Sequence, residues 1–247
     1  MAPREKYVNI QIESLPVPVK VVREWRHSMR VSLGQDHLIL RLPLLMGRSR
    51  EQQAIEWARS WFSRKVAKKS GLLERFRHRA YRSGDQLRVG SRNYHLEIRH
   101  ENRKTSAARV EEEGKLLIVL SPEIHPDTAD HDFRKLLSRA IARDFLPEID
   151  ALVRSLNRKH FGQPLNRVRL KYNRSNWGSC SGKGNINLST RLLFAPQRVI
   201  EYVIIHELAH LVELNHSKRF WKLVKEASPE YKEREKWLRE NGHKCDF

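Results

Sequence analysis

The stretch Ile204-Ile205-His206-Glu207-Leu208-Ala209-His210-Leu211 decides the reading of this chain. Apolar residues flank and separate two histidines four positions apart. On a helix of about 3.6 residues per turn, that spacing brings both imidazoles to nearly one face, with Cβ atoms roughly 5–6 Å apart. Two ring nitrogens so placed can converge on one ion. Glu207 sits one step round, outside the ligand position but close enough to accept a proton from water at that ion. By composition, only about 0.05 such His-Glu-x-x-His strings are expected in the chain, so accident is a poor account. Unpaired imidazoles and a carboxylate on a strongly apolar helix would also be costly.

A catalytic zinc keeps three protein ligands and one open position, so a third ligand is required. His216 falls six residues after His210, the offset found in extended zinc-protease motifs, although Glu213 stands where those have a turn glycine. Asn215 is expected to take the left-handed conformation that ends the helix and turns His216 back. Ser217 then caps the next helix. Glu226 or Glu230 competes for the third position, as in sites of the His-His-Glu type.

Upstream of the motif, Val168 to Tyr172 and Ile186 to Leu188 read as strands around the turn-rich Asn176–Gly184. The metal helix is expected to start at Pro196 and run through Leu214, with later helices near Ser217 and from Ser228-Pro229 to Gly242. A long apolar stripe from Phe133 to Leu156 predicts a helix after a cap at Asp130, with Pro147 able to kink it. Before residue 125 the period is mostly two: Val17–Val22, Met29–Leu33, a turn at Gly34-Gln35-Asp36, His37–Leu42, Gln86–Val89, Tyr94–Arg99 and Lys115–Leu120. One helix interrupts these strands, between Arg50 and Lys69, with Ile55, Trp57, Ala58, Trp61, Phe62 and Val66 on its apolar face. The expected fold class is α+β: a β-rich basic region over 1–125 with one amphipathic helix, then a metallohydrolase domain over 126–247. No internal repeat is legible.

Composition narrows the class. With 247 residues, 39% hydrophobic and 31% charged, the chain can bury a sizeable core and is not low-complexity. Its longest wholly aliphatic run, Leu116 to Leu120, is far below the roughly 20 residues that a membrane span needs, so no membrane role is expected. Two cysteines, Cys180 and Cys245, cannot build a disulfide framework, which fits a reducing cytoplasm. The net charge of +19 exceeds what solubility requires and points to a polyanion, nucleic acid or nucleotide. Residues 151–200 concentrate it, with ten Lys and Arg (Arg167, Arg169, Lys171, Arg174 and Lys183 among them) and no Asp or Glu.

The string from Val203 to Leu211, with Asn215-His216-Ser217, Phe220-Trp221, the earlier Trp177-Gly178-Ser179-Cys180-Ser181 and Ile186-Asn187-Leu188-Ser189, resembles the YgjP-like family of metal-dependent hydrolases, relatives of the SprT and WLM metallopeptidases. The resemblance extends to Arg26–Arg30 and the Trp57/Trp61 helix. It implies a zincin-like fold, Zn2+ held by His206, His210 and His216, and Glu207 as general base. It leaves the substrate open among peptides, nucleoside triphosphates and proteins attached to DNA. In zincins an edge strand upstream of the active helix pairs with extended substrate, and Ile186–Ser189 is expected in that place, with Asn187 and Trp177 lining the cleft. Cys180 is expected to be a small structural residue, and Tyr231 is a candidate oxyanion donor by residue type alone. Three functions compete: a metallopeptidase acting on a peptide or protein substrate, a nucleoside-triphosphate pyrophosphatase using the same ion, and a DNA-associated protein whose zinc is structural. The open ligand set and Glu207 speak against the last.

Overall fold

The computed structural model describes residues 4–34, 37–68, 72–73, 76, 81–122, 129–173 and 175–247. The expected turn at Gln35-Asp36 and the basic Arg174 lie outside the described residues. The chain divides into two compact units, Met1–His78 and Arg79–Phe247. This boundary lies before the second group of strands, whereas the sequence patterns place it after them.

In the first unit, strands β1 (Arg4–Ile12), β2 (Leu15–Glu24), β3 (Arg30–Leu33) and β4 (Leu38–Pro43) form a sheet in the order β1-β2-β4-β3. The β2–β4 pair is parallel and the other two are antiparallel. Alternation does what period-two patterning predicts: Val17, Val19 and Val21 on β2, and Leu38, Leu40 and Leu42 on β4, are buried on one face. Pro16 and Pro18 sit inside β2 but before Val19, where pairing with β4 begins, so they leave that ladder intact. Helix α1 (Arg48–Lys68) covers the apolar face with Ala54, Ala58, Phe62 and Val66, and Phe62 meets Phe76 edge-on at 5.1 Å. Its buried stripe begins at Glu51 and leaves Trp57 37% exposed, so the face is rotated from the expected one. Lys6 and Arg23 both pair with the buried Glu51 carboxylate.

The second unit opens with the same wiring. Strands β5 (Gln86–Val89), β6 (Arg92–His100), β7 (Ala107–Val110) and β8 (Lys115–Leu120) run in the order β5-β6-β8-β7, with β6 and β8 parallel, and helix α2 (Ala129–His160) follows. A repeated ββββα plan therefore exists in three dimensions that no sequence repeat announces. Helix α2 starts one residue before Asp130 and continues through Pro147, spanning about 48 Å at 1.5 Å per residue. Arg92 fastens β6 to it, donating to Asp144 at 2.7 Å and Glu148 at 2.8 Å, with its guanidinium over the Phe145 ring.

A third sheet follows, β10-β11-β9, built from β9 (Arg167–Lys171), β10 (Gly178–Cys180) and β11 (Asn185–Ser189). Strand β11 pairs with β9 in parallel and with β10 antiparallel. The Ile186–Ser189 run is thus the central strand and not the edge expected of it. Its apolar alternation, with Ile186 and Leu188 fully buried, suits a strand covered on both flanks. Helices α3 (Gln197–Ala209), α4 (Lys218–Ala227) and α5 (Tyr231–Asn241) complete a mixed α+β molecule with three small sheets and five α-helices among the described residues. No described helix is long and apolar enough to cross a membrane.

Candidate metal centre

Helix α3 enters at Pro196, where a missing N–H costs nothing. It is apolar nearly all round because it is buried nearly all round: Val199, Ile200, Val203, Ile204, Ile205 and Leu208 all lie in the core. The helix ends at Ala209, five residues earlier than its sequence suggests, with His210 as the C-terminal cap. Leu211 and Val212 close the end with bonds to the carbonyls of Leu208 and Ala209, at 2.9 and 3.1 Å. The chain turns back without a left-handed residue. Asn215 has no positive φ, so its expected role gives way to these tight turns. Ser217 caps α4 as expected, accepting from the Phe220 amide at 3.2 Å.

This reversal brings three imidazoles together. Ring nitrogens of His206, His210 and His216 all lie within 4.8 Å of one another. The Nε2 atoms of His206 and His216 stand 3.1 Å apart, close to the roughly 3.3 Å between two nitrogens that each sit about 2.05 Å from a tetrahedral zinc. His210 places Nδ1 3.1 Å from the Glu213 carbonyl, which fixes the proton there and leaves Nε2 with a free lone pair. Burial, then the neighbouring His210 and His216, push His206 down to about 4, so it is neutral at pH 7. Burial likewise lowers His210, with His216 adding to the effect. The Nδ1 atom of His206 is buried with no hydrogen-bond partner among the described residues, so the surrounding scaffold does not account for this ring through hydrogen bonding. The donor set is three imidazole rings gathered around one point, which fits a borderline-soft divalent ion such as zinc.

Glu207 sits one step round α3 from His206, is 6% exposed and meets no cation among the described residues; burial raises its carboxyl to about 7. Strand β10 lies directly against it. A Cβ on Gly178 would come within 2.6 Å of Glu207 Cγ and Oε1, so only glycine leaves room for this carboxylate.

A sequence model described as YgjP-like, metallopeptidase domain, matches residues 27–241. The chain belongs to the YgjP-like metallopeptidase family. A UTP pyrophosphatase of Escherichia coli K12 is 35% identical over 54 residues, which is 22% of this chain and 32% of that protein, so the match spans about a third of that relative's length. The metallopeptidase zymogen abylysin of Pyrococcus abyssi is 28% identical, over 36% of this chain and 90% of its own, with a TM-score of 0.35.

Around this YgjP-like centre, several candidates fall elsewhere. Glu226 pairs with Lys222 at 3.9 Å and Glu230 with Arg234 at 2.8 Å, and neither belongs to the histidine cluster. Trp177 packs on Gly242 and under the Arg191 guanidinium, 4.9 Å from its ring, which makes it part of the C-terminal anchorage. Asn187 donates to Ser179 across the β10–β11 pair at 3.3 Å. Cys180 is half-buried beside Glu207; burial and then that carboxylate raise its thiol to about 11, consistent with a structural role. Tyr231 stacks on Trp221 at 5.3 Å, and Trp221 stacks on His216 at 5.9 Å.

Sequence patterns missed the floor of the site. Phe220 is fully buried, with its ring 4.9, 4.5 and 4.8 Å from those of His206, His210 and His216. The available signal was its place three residues after the Ser217 cap, which aims it back over the first turn of α4.

Proposed function

We propose that this chain is a zinc-dependent metallohydrolase of the peptidase type, with His206, His210 and His216 as ligands and Glu207 as general base. The convergence of three imidazoles beside a buried carboxylate that meets no cation among the described residues carries this reading. A zinc ion held there supplies Lewis acidity and lowers the pKa of bound water to about 7. Glu207, raised by burial, takes up and releases a proton near neutrality, where a general base is most effective. Gly178 keeps its carboxylate close to α3. Strand β10 forms the sheet edge beside it, so an extended peptide has an unpaired strand to lie along, and Asn187 supports that edge through Ser179. An active helix with a small sheet edge at its side is the layout of a zincin. Both cysteines are free thiols, in keeping with a reducing cytoplasm.

Phosphoanhydride hydrolysis at the same ion is the second reading. Lys218, Arg219 and Lys222 are exposed just after His216, where they can meet a triphosphate, and one relative is named a UTP pyrophosphatase. A purely structural zinc is disfavoured, because the described cluster offers three ligands where structural sites use four.

Zinc-loaded protein incubated with a peptide library and with nucleoside triphosphates separates these readings. Peptide cleavage abolished by Glu207→Gln is expected. Turnover of nucleotides with every peptide intact would overturn the peptidase reading.

A further inference from the structure

The three-stranded sheet has two chemically opposite faces. Val168, Ile186 and Leu188 point into the core, and Gly178 and Cys180, which share their face by register, lie toward Glu207. The opposite face carries Arg167, Arg169 and Lys171 from edge strand β9, all exposed, with the half-buried Asn185 and Asn187 of β11 in register with Arg167 and Arg169, while Ser189 beside Lys171 is fully buried. Ser179 of β10 continues this face through its bond with Asn187. Exposed Lys183 stands in the β10–β11 turn, whose Gly184 carbonyl accepts from the Asn166 amide immediately before Arg167.

These cations differ from their neighbours. Arg154 is tied to Asp150 at 2.7 Å, and Arg191 is spent on the Cys245 and Gly242 carbonyls at 2.7 and 2.9 Å. The side chains of Arg167, Arg169 and Lys171 have no hydrogen-bond or ion-pair partner among the described residues. No Asp or Glu occurs anywhere in residues 151–200 to quench them. Alternate residues on a strand are roughly 6.7 Å apart, so the three side chains leave β9 in a row at close to the separation of successive phosphates along a nucleic-acid strand.

We propose that this face docks the sugar–phosphate backbone of a double-stranded nucleic acid. The row of guanidinium and ammonium groups matches a linear polyanion, and the amide and hydroxyl groups beside it can bond phosphate and sugar oxygens. Membrane attachment is disfavoured because the face presents no large apolar side chain to insert among lipids. Single strands are disfavoured because, among the described residues, it presents no aromatic ring on which unpaired bases can stack. Contacts limited to phosphates carry no sequence information, so binding is indifferent to sequence. The inference stands on the charge pattern and does not depend on what the metal centre hydrolyses.

The test is fluorescence anisotropy with labelled DNA duplex at about 50 to 200 mM salt, the range over which phosphate contacts show. Wild type is expected to bind. The triple variant R167E/R169E/K171E is expected to bind at least tenfold more weakly, with the slope of log affinity against log salt reduced by about 2.7, or about 0.9 per contact. The neutral set R167Q/R169Q/K171Q should reduce the slope equally, guarding against misfolding by charge reversal, and unchanged zinc content should accompany both. A charge-matched control on α5, K232E/K236E/R239E, should keep the wild-type slope. The proposal is overturned if wild type shows no affinity for duplex at about 50 mM salt, or if the α5 variant loses as much. Tighter binding of a single-stranded oligonucleotide, or equal competition by phosphatidylserine vesicles, overturns it too.

Discussion

The β1–β4 sheet with α1 and the β5–β8 sheet with α2 share one plan, down to a detail of charge. In each, an arginine from the second strand reaches an acid on the covering helix: Arg23 to Glu51 and Arg92 to Asp144. These acids serve packing. Glu207, the proposed general base, is the contrasting acid in the same molecule. Glu51 and Glu207 are both 6% exposed, yet their carboxyls shift in opposite directions. Burial pushes both up, but hydrogen bonds from Lys6 and Arg23 reverse the effect at Glu51 and hold it below 4.5, whereas nothing opposes burial at Glu207. At equal surface exposure, Glu51 meets two cations and Glu207 meets none among the described residues, and we propose that this absence of a cation leaves Glu207 reactive.

The largest effect expected is at the reactive carboxylate. Glu207→Gln should keep the metal and lower hydrolysis about 10²- to 10⁴-fold, the usual contribution of a general base. Steady-state rates with metal content measured in parallel check this, and near-wild-type activity would remove Glu207 from its role. The second contrast compares the two covering helices. Phe62→Ala in α1 and Phe145→Ala in α2 each open a cavity costing about 3–5 kcal/mol. Denaturant melts should register both, but only Phe145→Ala should weaken zinc retention, because only α2 shares a core with α3. Equal zinc loss in both would mean that the first unit supports the site.

Gly178→Ala is expected to be intermediate. Its Cβ displaces Glu207, so the rate should fall about tenfold while zinc stoichiometry holds, as a misplacement near 1 Å can cost up to about 10²-fold. The smallest effect belongs to the structural carboxylate. A depressed acid stabilises the fold above its unfolded value and loses that contribution as pH falls through its lower folded value. Stability of the first unit should therefore decline below about pH 4.5, and Glu51→Gln should flatten that decline in melts across the acid range.

Local chemistry was legible in the sequence and long-range pairing was not. The His206–His210 spacing and the Ser217 cap depend on one or two helical turns, so periodicity and residue type suffice to read them. The site edge was misassigned because β10 is three small residues, Gly178-Ser179-Cys180, with no apolar alternation, while central β11 has a clear one. The repeated ββββα plan is invisible for a related reason: parallel pairing of β6 with β8 across β7 joins segments that share no local pattern with β2 and β4. Asn215 suggested a left-handed turn by residue type, but backbone bonds to Leu208 and Ala209 made it unnecessary. Phe220 remained an apolar residue until three imidazoles were found around it.

Zinc stoichiometry of the purified chain tests the central claim most directly. Elemental analysis should find about one zinc per wild-type chain, most of it lost in His206→Ala, His210→Ala and His216→Ala, and retained in Glu226→Ala and Glu230→Ala. Full zinc occupancy in the histidine variants, or loss confined to a glutamate variant, would contradict the assignment of the three imidazoles as the metal site.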